Sequence, residues 1–153
     1  IEIIIGHSVG GYATIFAVGE MDMPSSVNNI ILLAPTVKLK KMMTQFYQAL
    51  DLNSKTIKSY EALFLKSYGH NYDYFNGDKM MKNAKVKGLL IHDKNDKILD
   101  FKNSELLDQR LENSTLYAYE DIGHSRMLSN AELHKDLENL IIKSAKYINH
   151  LTL

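Results

Sequence analysis

The chain opens on a nearly unbroken apolar run, Ile1-Glu2-Ile3-Ile4-Ile5. A β-branched run without alternation is the pattern of a parallel strand buried on both faces. It leads into Gly6-His7-Ser8-Val9-Gly10-Gly11, followed by a segment with Ala13 and Ala17 small and Ile15 and Phe16 bulky. That sequence reads as a strand, a tight turn and a helix. Ile30 to Leu33 predict a second buried strand, stopped by Pro35. From Lys38 to about Ala84 the strand pattern is absent. Leu39, Met42, Met43, Phe46, Tyr47 and Leu50 fall on one helical face. Ser54 is placed to cap a second helix that turns Ile57, Tyr60, Leu63, Phe64 and Tyr68 inward.

Strand character returns from Val86 to His92, and a polar loop from Asp93 to Asp100 leads to a helix over Ser104–Leu111. Thr115–Tyr119 predicts the next strand, with Gly123-His124 in the loop after it. Ser129 and Glu132 have the spacing of a capping box for a last helix, in which Leu133, Leu137, Leu140, Ile141 and Ile148 share a face. Strands alternating with helices predict an α/β layer fold, with about four mainly parallel strands and flanking helices. The sequence contains no internal repeat.

Composition narrows the function classes. A length of 153 residues suits one domain with a real core. Lys+Arg and Asp+Glu both number 18, a balance with no basic surplus for a phosphate backbone, so nucleic acid is not an expected partner. Lys38, Lys40 and Lys41 form the tightest basic group and read as the solvated face of a helix. With no cysteine, disulfides, thiolate metal sites and a cysteine nucleophile are excluded; a reducing, cytoplasmic setting fits, though the sequence does not specify one. No apolar stretch reaches the length of a membrane span.

Gly6-His7-Ser8-Val9-Gly10 matches the G-x-S-x-G nucleophile elbow, in the strand-to-helix context that this turn needs. The nucleophile stands on a strained turn, so close neighbours must be glycine. The helix N-terminus below it offers unpaired N–H groups to a developing oxyanion, here the amide of Val9. The competing interpretation, a Gly-rich nucleotide-binding turn, lacks both the P-loop lysine and a G-x-G-x-x-G. A serine hydroxyl is a weak nucleophile without a base, so the motif demands a histidine held by a carboxylate. In open parallel sheets such groups emerge at the carboxyl ends of strands. His124, after the last predicted strand, meets that requirement. His7 belongs to the elbow, His92 reads as a satisfied structural histidine, His70 lies in the helical stretch, and His134 and His150 lie on the last helix. For the acid, Asp96 is the choice, with Asp93 and Asp100 as rivals in the same loop. His92, Asp93 and Asp96 as metal ligands would lack a fourth partner, so no metal is assigned, and the chemistry requires no cofactor.

These motifs resemble the C-terminal portion of the α/β-hydrolase superfamily, from the nucleophile elbow onward. Gly6-His7-Ser8-Val9-Gly10-Gly11 resembles that family's elbow, Leu89-Leu90-Ile91-His92-Asp93-Lys94-Asn95-Asp96 its acid loop, and Gly123-His124 its histidine loop. The order Ser8, Asp96, His124 is the family's order. Asp93 stands where members often carry glycine, and Asp100 follows Ile98-Leu99 where proline is frequent. The resemblance implies a serine hydrolase of esterase or lipase type, acting on a small-molecule carboxylic ester or related acyl substrate through an acyl-enzyme. It places the stretch from about 38 to 84 as a lid, with Phe46 and Tyr47 toward the substrate. It also implies strands before the elbow that the sequence does not contain, and with them a second oxyanion donor. Ile1–Ile5 is then expected at a bare sheet edge, open to self-association, and the chain alone is expected to turn over little ester. The alternative is a non-catalytic remnant, a pseudoenzyme or interaction module of the same fold.

Overall fold

The computed structural model describes residues 2–149, so Ile1 and His150 lie outside the described residues; the side chains of Glu2, Asn83 and residues 143–149 are likewise not described. Strand β1 spans Glu2–His7 and helix α1 Val9–Glu20; β2 is Val27–Leu33, α2 Leu39–Ala49 and α3 Ser54–Tyr68. A short helix α4 (Gly77–Met80) and a 3-10 turn precede β3 at Lys87–Asp93, followed by α5 (Lys102–Asp108), β4 (Ser114–Tyr119) and α6 (Ala131–Asn149). The four strands form one parallel sheet in the order β1-β2-β3-β4.

The two central strands explain the sheet's burial. Ile30 to Leu33 on β2 are buried without alternation, as are Leu90 to Asp93 on β3, because helices cover both faces. Ile30, Leu32 and Leu90 face one layer, with Ile15 of α1, Met81 and Leu107 of α5. Ile31, Leu33 and Ile91 face the other, with Ile122, Met127 and Leu133 of α6. The edge strands are less buried. On β1, Ile3 and Ile4 are half-buried and Ile5 is 53% exposed. The run at Ile3–Ile5 therefore forms the strand it predicts, but at a sheet edge, where no neighbour among the described residues covers the outer side.

The sequence misplaces three local features. Asn53, rather than Ser54, caps α3, its side chain accepting from the Thr56 amide at 2.9 Å. Asn130, rather than Ser129, caps α6: its Oδ1 accepts from the Leu133 amide at 2.8 Å, while the Ser129 hydroxyl donates back to the Arg126 carbonyl. In both cases the residue adjacent to the expected cap is an Asn that meets the cap geometry. The third difference is the face of α3. It buries no residue, with Tyr60 44%, Leu63 60% and Tyr68 62% exposed. Only Phe64 and Ile57 of the expected inward set are partly covered.

Helices α2 and α3 form a hairpin that leaves and rejoins the body at one place. Lys38 and Asn76 pair in an antiparallel bridge, and the Gly77 amide donates to the Val37 carbonyl at 2.7 Å. From Gly77 onward the chain returns to the core: Met80 packs against Gly19 of α1 and Met81 is fully buried beside Ile15. The hairpin has its own small aromatic cluster, in which Phe64 meets Tyr68, Tyr72 and Phe75 with ring centroids 4.4–5.6 Å apart. Among the described residues no helix is long and apolar enough to cross a membrane.

Candidate active site

The site forms at the carboxyl ends of the strands, where β1 turns abruptly into α1. Ser8 occupies that turn with φ 55° and ψ −118°, a left-handed backbone that L side chains rarely adopt. Its amide donates to the Leu33 carbonyl at the end of β2, which pins the turn against the next strand. Gly6 is required there: a Cβ would lie 2.6 Å from the Gly10 carbonyl oxygen and 2.7 Å from the Thr14 hydroxyl. Gly10 is not required on those grounds, since a Cβ there meets nothing within 4 Å. Val9 is the first residue of α1, so its N–H is among those that the helix leaves without an internal acceptor.

Across the strand ends, His124 Nε2 lies 3.0 Å from Ser8 Oγ, and His124 Nδ1 lies 2.7 Å from Asp96 Oδ2. The carboxylate accepts only, so Nδ1 carries the proton and Nε2 is free to accept from the serine hydroxyl. Gly123 precedes the histidine at φ 77°, a turn that favours glycine. On the far side, His7 Nε2–H donates to the His124 carbonyl at 3.1 Å, and the two rings are 4.8 Å apart. Burial holds the His7 pKa below its ordinary value, against the pull of that hydrogen bond.

Asp96 is separated from its rivals by its contacts. Its side chain is fully enclosed, and Oδ1 accepts from the amides of Ile98 and Leu99 at 2.7 and 3.0 Å. Burial alone would push this carboxyl up. The Leu99 amide, the His124 ring and the Ile98 amide outweigh it and hold the pKa below the usual carboxylate value. Asp93 is buried but occupied elsewhere, accepting from the amides of Gly123 and Asn95. It thereby ties the histidine loop to the end of β3. Asp100 is exposed, accepts from the Lys102 amide, and lies 3.7 Å from Lys41 Nζ. His92, Asp93 and Asp96 thus each have protein partners, and among the described residues no group of three or more His, Asp or Glu side chains is placed to hold a metal ion.

Sequence reasoning passed over one contributor. His92 is fully buried behind Asp96, with Nδ1 2.7 Å from the Ser104 hydroxyl and Nε2 3.0 Å from the Leu99 carbonyl and 3.3 Å from Asp96 Oδ2. The sequence read this histidine as structural and gave Ser104 no role. The signal was the four-residue spacing of His92 and Asp96 across a strand end. Of the two residues assigned to substrate, Tyr47 is buried, its hydroxyl 2.5 Å from that of Tyr72, and Phe46 beside it is 49% exposed.

No protein-family model and no curated protein matches the chain. Solved structures do. MGS-MChE2, an α/β-hydrolase enzyme from the metagenome of sediments of the Mar Chica lagoon in Morocco, aligns with a TM-score of 0.64 at 22% identity, over 94% of this chain and 62% of that one. The esterase domain of a Rhodothermus marinus protein aligns at 0.63 and 17%, over 95% and 59%. The serine hydrolase CCSP0084 of the polyaromatic-hydrocarbon-degrading bacterium Cycloclasticus zankles aligns at 0.61 and 18%, over 93% and 64%. The chain therefore spans about three fifths of the length of these structures. Over nearly all of its length, the chain shares the α/β-hydrolase fold of these structures.

Proposed function

We propose that this chain carries the nucleophile, base and acid of a serine hydrolase acting on a carboxylic ester or related acyl compound. The observation that carries the reading is the continuous hydrogen-bonded line from Ser8 Oγ through His124 to Asp96, at 3.0 and 2.7 Å. Ser8 Oγ attacks the acyl carbon while His124 Nε2 takes its proton, and Asp96 stabilises the imidazolium that forms. The Val9 N–H, at the positive end of α1, stabilises the oxyanion. Collapse of the tetrahedral intermediate expels the alcohol, protonated by His124, and leaves an acyl group on Ser8. Water activated by the same histidine then releases the acid. A serine nucleophile makes the acyl-enzyme an ester that water can cleave, with no metal and no organic cofactor in the cycle.

The hairpin of α2 and α3 serves in this reading as the lid. Its return segment is anchored beside the elbow, where Tyr12 in the first turns of α1 donates to the Phe75 carbonyl at 2.7 Å. Phe46 and Tyr47 on α2 are the proposed contacts for the acyl or alcohol chain. Changing either to Ala shifts the preference between short and long p-nitrophenyl esters if they meet the substrate.

The deciding experiment is labelling of the chain by a fluorophosphonate probe, which needs an activated serine. Labelling that disappears in Ser8→Ala, together with ester turnover that disappears with it, supports the reading. A chain that never labels, or labels equally without Ser8, overturns it. The exposed edge of β1 favours a second reading, in which the fold serves as an interaction module. Concentration-dependent association in size-exclusion chromatography without Ser8-dependent labelling would favour it.

A further inference from the structure

The chemistry proposed above uses His124 and Asp96, and leaves unexplained a second histidine buried against the same carboxylate. His92 is the last residue but one of β3, the strand before the acid loop, and both of its ring nitrogens are engaged. The partners assign its protons. The Leu99 carbonyl can only accept, so the nitrogen facing it, Nε2, must carry hydrogen. The same nitrogen also lies 3.3 Å from Asp96 Oδ2. At the other end of the ring, the Ser104 hydroxyl of α5 is 2.7 Å from Nδ1 and donates to it when the ring is neutral.

Neutrality follows from the surroundings. The groups facing the ring are Asp96 from the acid loop, His124 from the loop after β4, the Ser104 hydroxyl from α5 and the edge-on ring of Phe101, 5.6 Å away. Burial lowers the His92 pKa from its ordinary value, and the contributions of the Leu99 carbonyl and Asp96 do not restore it.

We propose that His92, oriented by Ser104, is the positioning residue of Asp96, and that its Nε2–H keeps the carboxylate ionised and turned toward His124. The geometry gives it a double hold. Leu99 donates its amide to Asp96 Oδ1 and accepts from His92 through its carbonyl, so one ring fastens both ends of the Asp96–Leu99 turn to the end of β3. Without the ring, Oδ2 keeps only His124 as a side-chain partner among the described residues, and the carboxyl is held otherwise by the Ile98 and Leu99 amides on Oδ1. A buried carboxylate is stabilised in its charged form by each N–H that it accepts, so losing one raises its pKa. His92 touches neither Ser8 nor the substrate's reacting atoms; it acts through Asp96.

The consequence for catalysis rests on the hydrolase reading, but the test does not. Carboxyl carbon and ring nitrogen NMR on the 153-residue chain follow Asp96 and His92 without any turnover, whereas fluorophosphonate labelling tests the hydrolase reading. The two can therefore fail separately. His92→Phe keeps a ring of similar bulk and removes the donor; His92→Gln keeps an N–H at the position of Nε2. The Asp96 pKa is expected to rise by about one pH unit in His92→Phe and to return close to the wild-type value in His92→Gln. An Asp96 pKa unchanged in His92→Phe, or shifted equally in both variants, overturns the proposal. If His92→Phe does not fold, the wild-type nitrogen spectrum decides. A neutral His92 protonated on Nε2 supports the proposal, and one protonated on Nδ1 overturns it.

Discussion

The sheet with its strand-end site and the α2–α3 hairpin are built on opposite terms, although both follow from apolar patterns of similar strength. In the sheet, consecutive residues of β2 and β3 are buried, and polar groups such as His92, Asp93 and Ser104 are taken inside with their partners. In the hairpin, α2 buries only Tyr47 and α3 buries nothing. A sheet covered on two faces has a place for every apolar side chain, whereas the helical hairpin buries mainly against its own cluster, which meets the body where Phe75 packs on Phe16 of α1. The contrast separates a region where precise placement is enforced by packing from one where it is not. Ser8, with its strained backbone, and Asp96, with its enclosed carboxylate, both sit in the first, where the surrounding structure holds them.

The largest test of this contrast is chemical. Ser8→Ala is expected to lower any ester turnover by about a thousandfold or more and to abolish fluorophosphonate labelling, as removal of a triad nucleophile does. Leu63→Ala on the hairpin should leave labelling unchanged. A hairpin substitution that suppresses labelling as strongly as Ser8→Ala would break the division.

Stability provides the next test. Leu90 is fully buried between β2, α5 and the 3-10 turn, so Leu90→Ala should cost about 2–5 kcal/mol in urea denaturation. Leu63→Ala, at an exposed position, should stay within about 0.5 kcal/mol of wild type. Equal costs would mean that the hairpin is packed in solution in a way that its exposure does not indicate.

Within the hairpin, the Tyr47–Tyr72 hydroxyl pair is its one buried polar contact among the described residues. Tyr47→Phe leaves the Tyr72 hydroxyl buried without this partner and should cost about 1–3 kcal/mol. Denaturation that is insensitive to this change would show that the cluster contributes little to the cooperative unit.

The smallest expected effect is in acid, and it belongs to the sheet half. His7 and His92 have folded pKa values below the ordinary histidine value, so the unfolded chain binds more protons than the fold does at mildly acidic pH. Their contribution is complete above about pH 6.5 and is lost as the pH falls from there through the folded values. Asp96 is also depressed; its contribution is complete above the ordinary carboxylate pKa of about 3.9 and is lost at lower pH. A stability–pH profile should therefore decline in two stages, the upper one reduced in His92→Gln and neither altered in Tyr47→Phe. An upper stage of undiminished size in His92→Gln would remove His92 from the account.

Much of this was legible in the sequence, in proportion to how local the cause is. Gly6 is required by atoms four and eight residues away, and the elbow could be read from a strand run meeting a helix. The bulk of the helices and strands came from periodicity, with ends displaced by up to three residues. What periodicity could not supply was orientation relative to a neighbour. The apolar stripe of α3 predicts a helix correctly, but a stripe says only which face would be buried if something covered it. The caps show the same limit: Ser54 and Ser129 are reasonable caps in composition, and backbone geometry at Asn53 and Asn130 decided otherwise.

By itself, then, the sequence determined a parallel α/β sheet, a tight strand-to-helix turn at Ser8 and a histidine in the loop after the last strand, because turns, runs and periods are short-range consequences of side-chain shape. The sequence favoured Asp96 over Asp93 and Asp100, and the tertiary structure separated the three, since they are equivalent in composition and differ in where the loop aims them. The tertiary structure alone brought together groups 28 and 116 residues apart in the chain, and it alone turned His92 from a strand-end histidine into a neighbour of the acid. Those contacts depend on how β1 to β4 line up side by side in the sheet, and that arrangement of strands is a property of the packed core rather than of any segment of sequence.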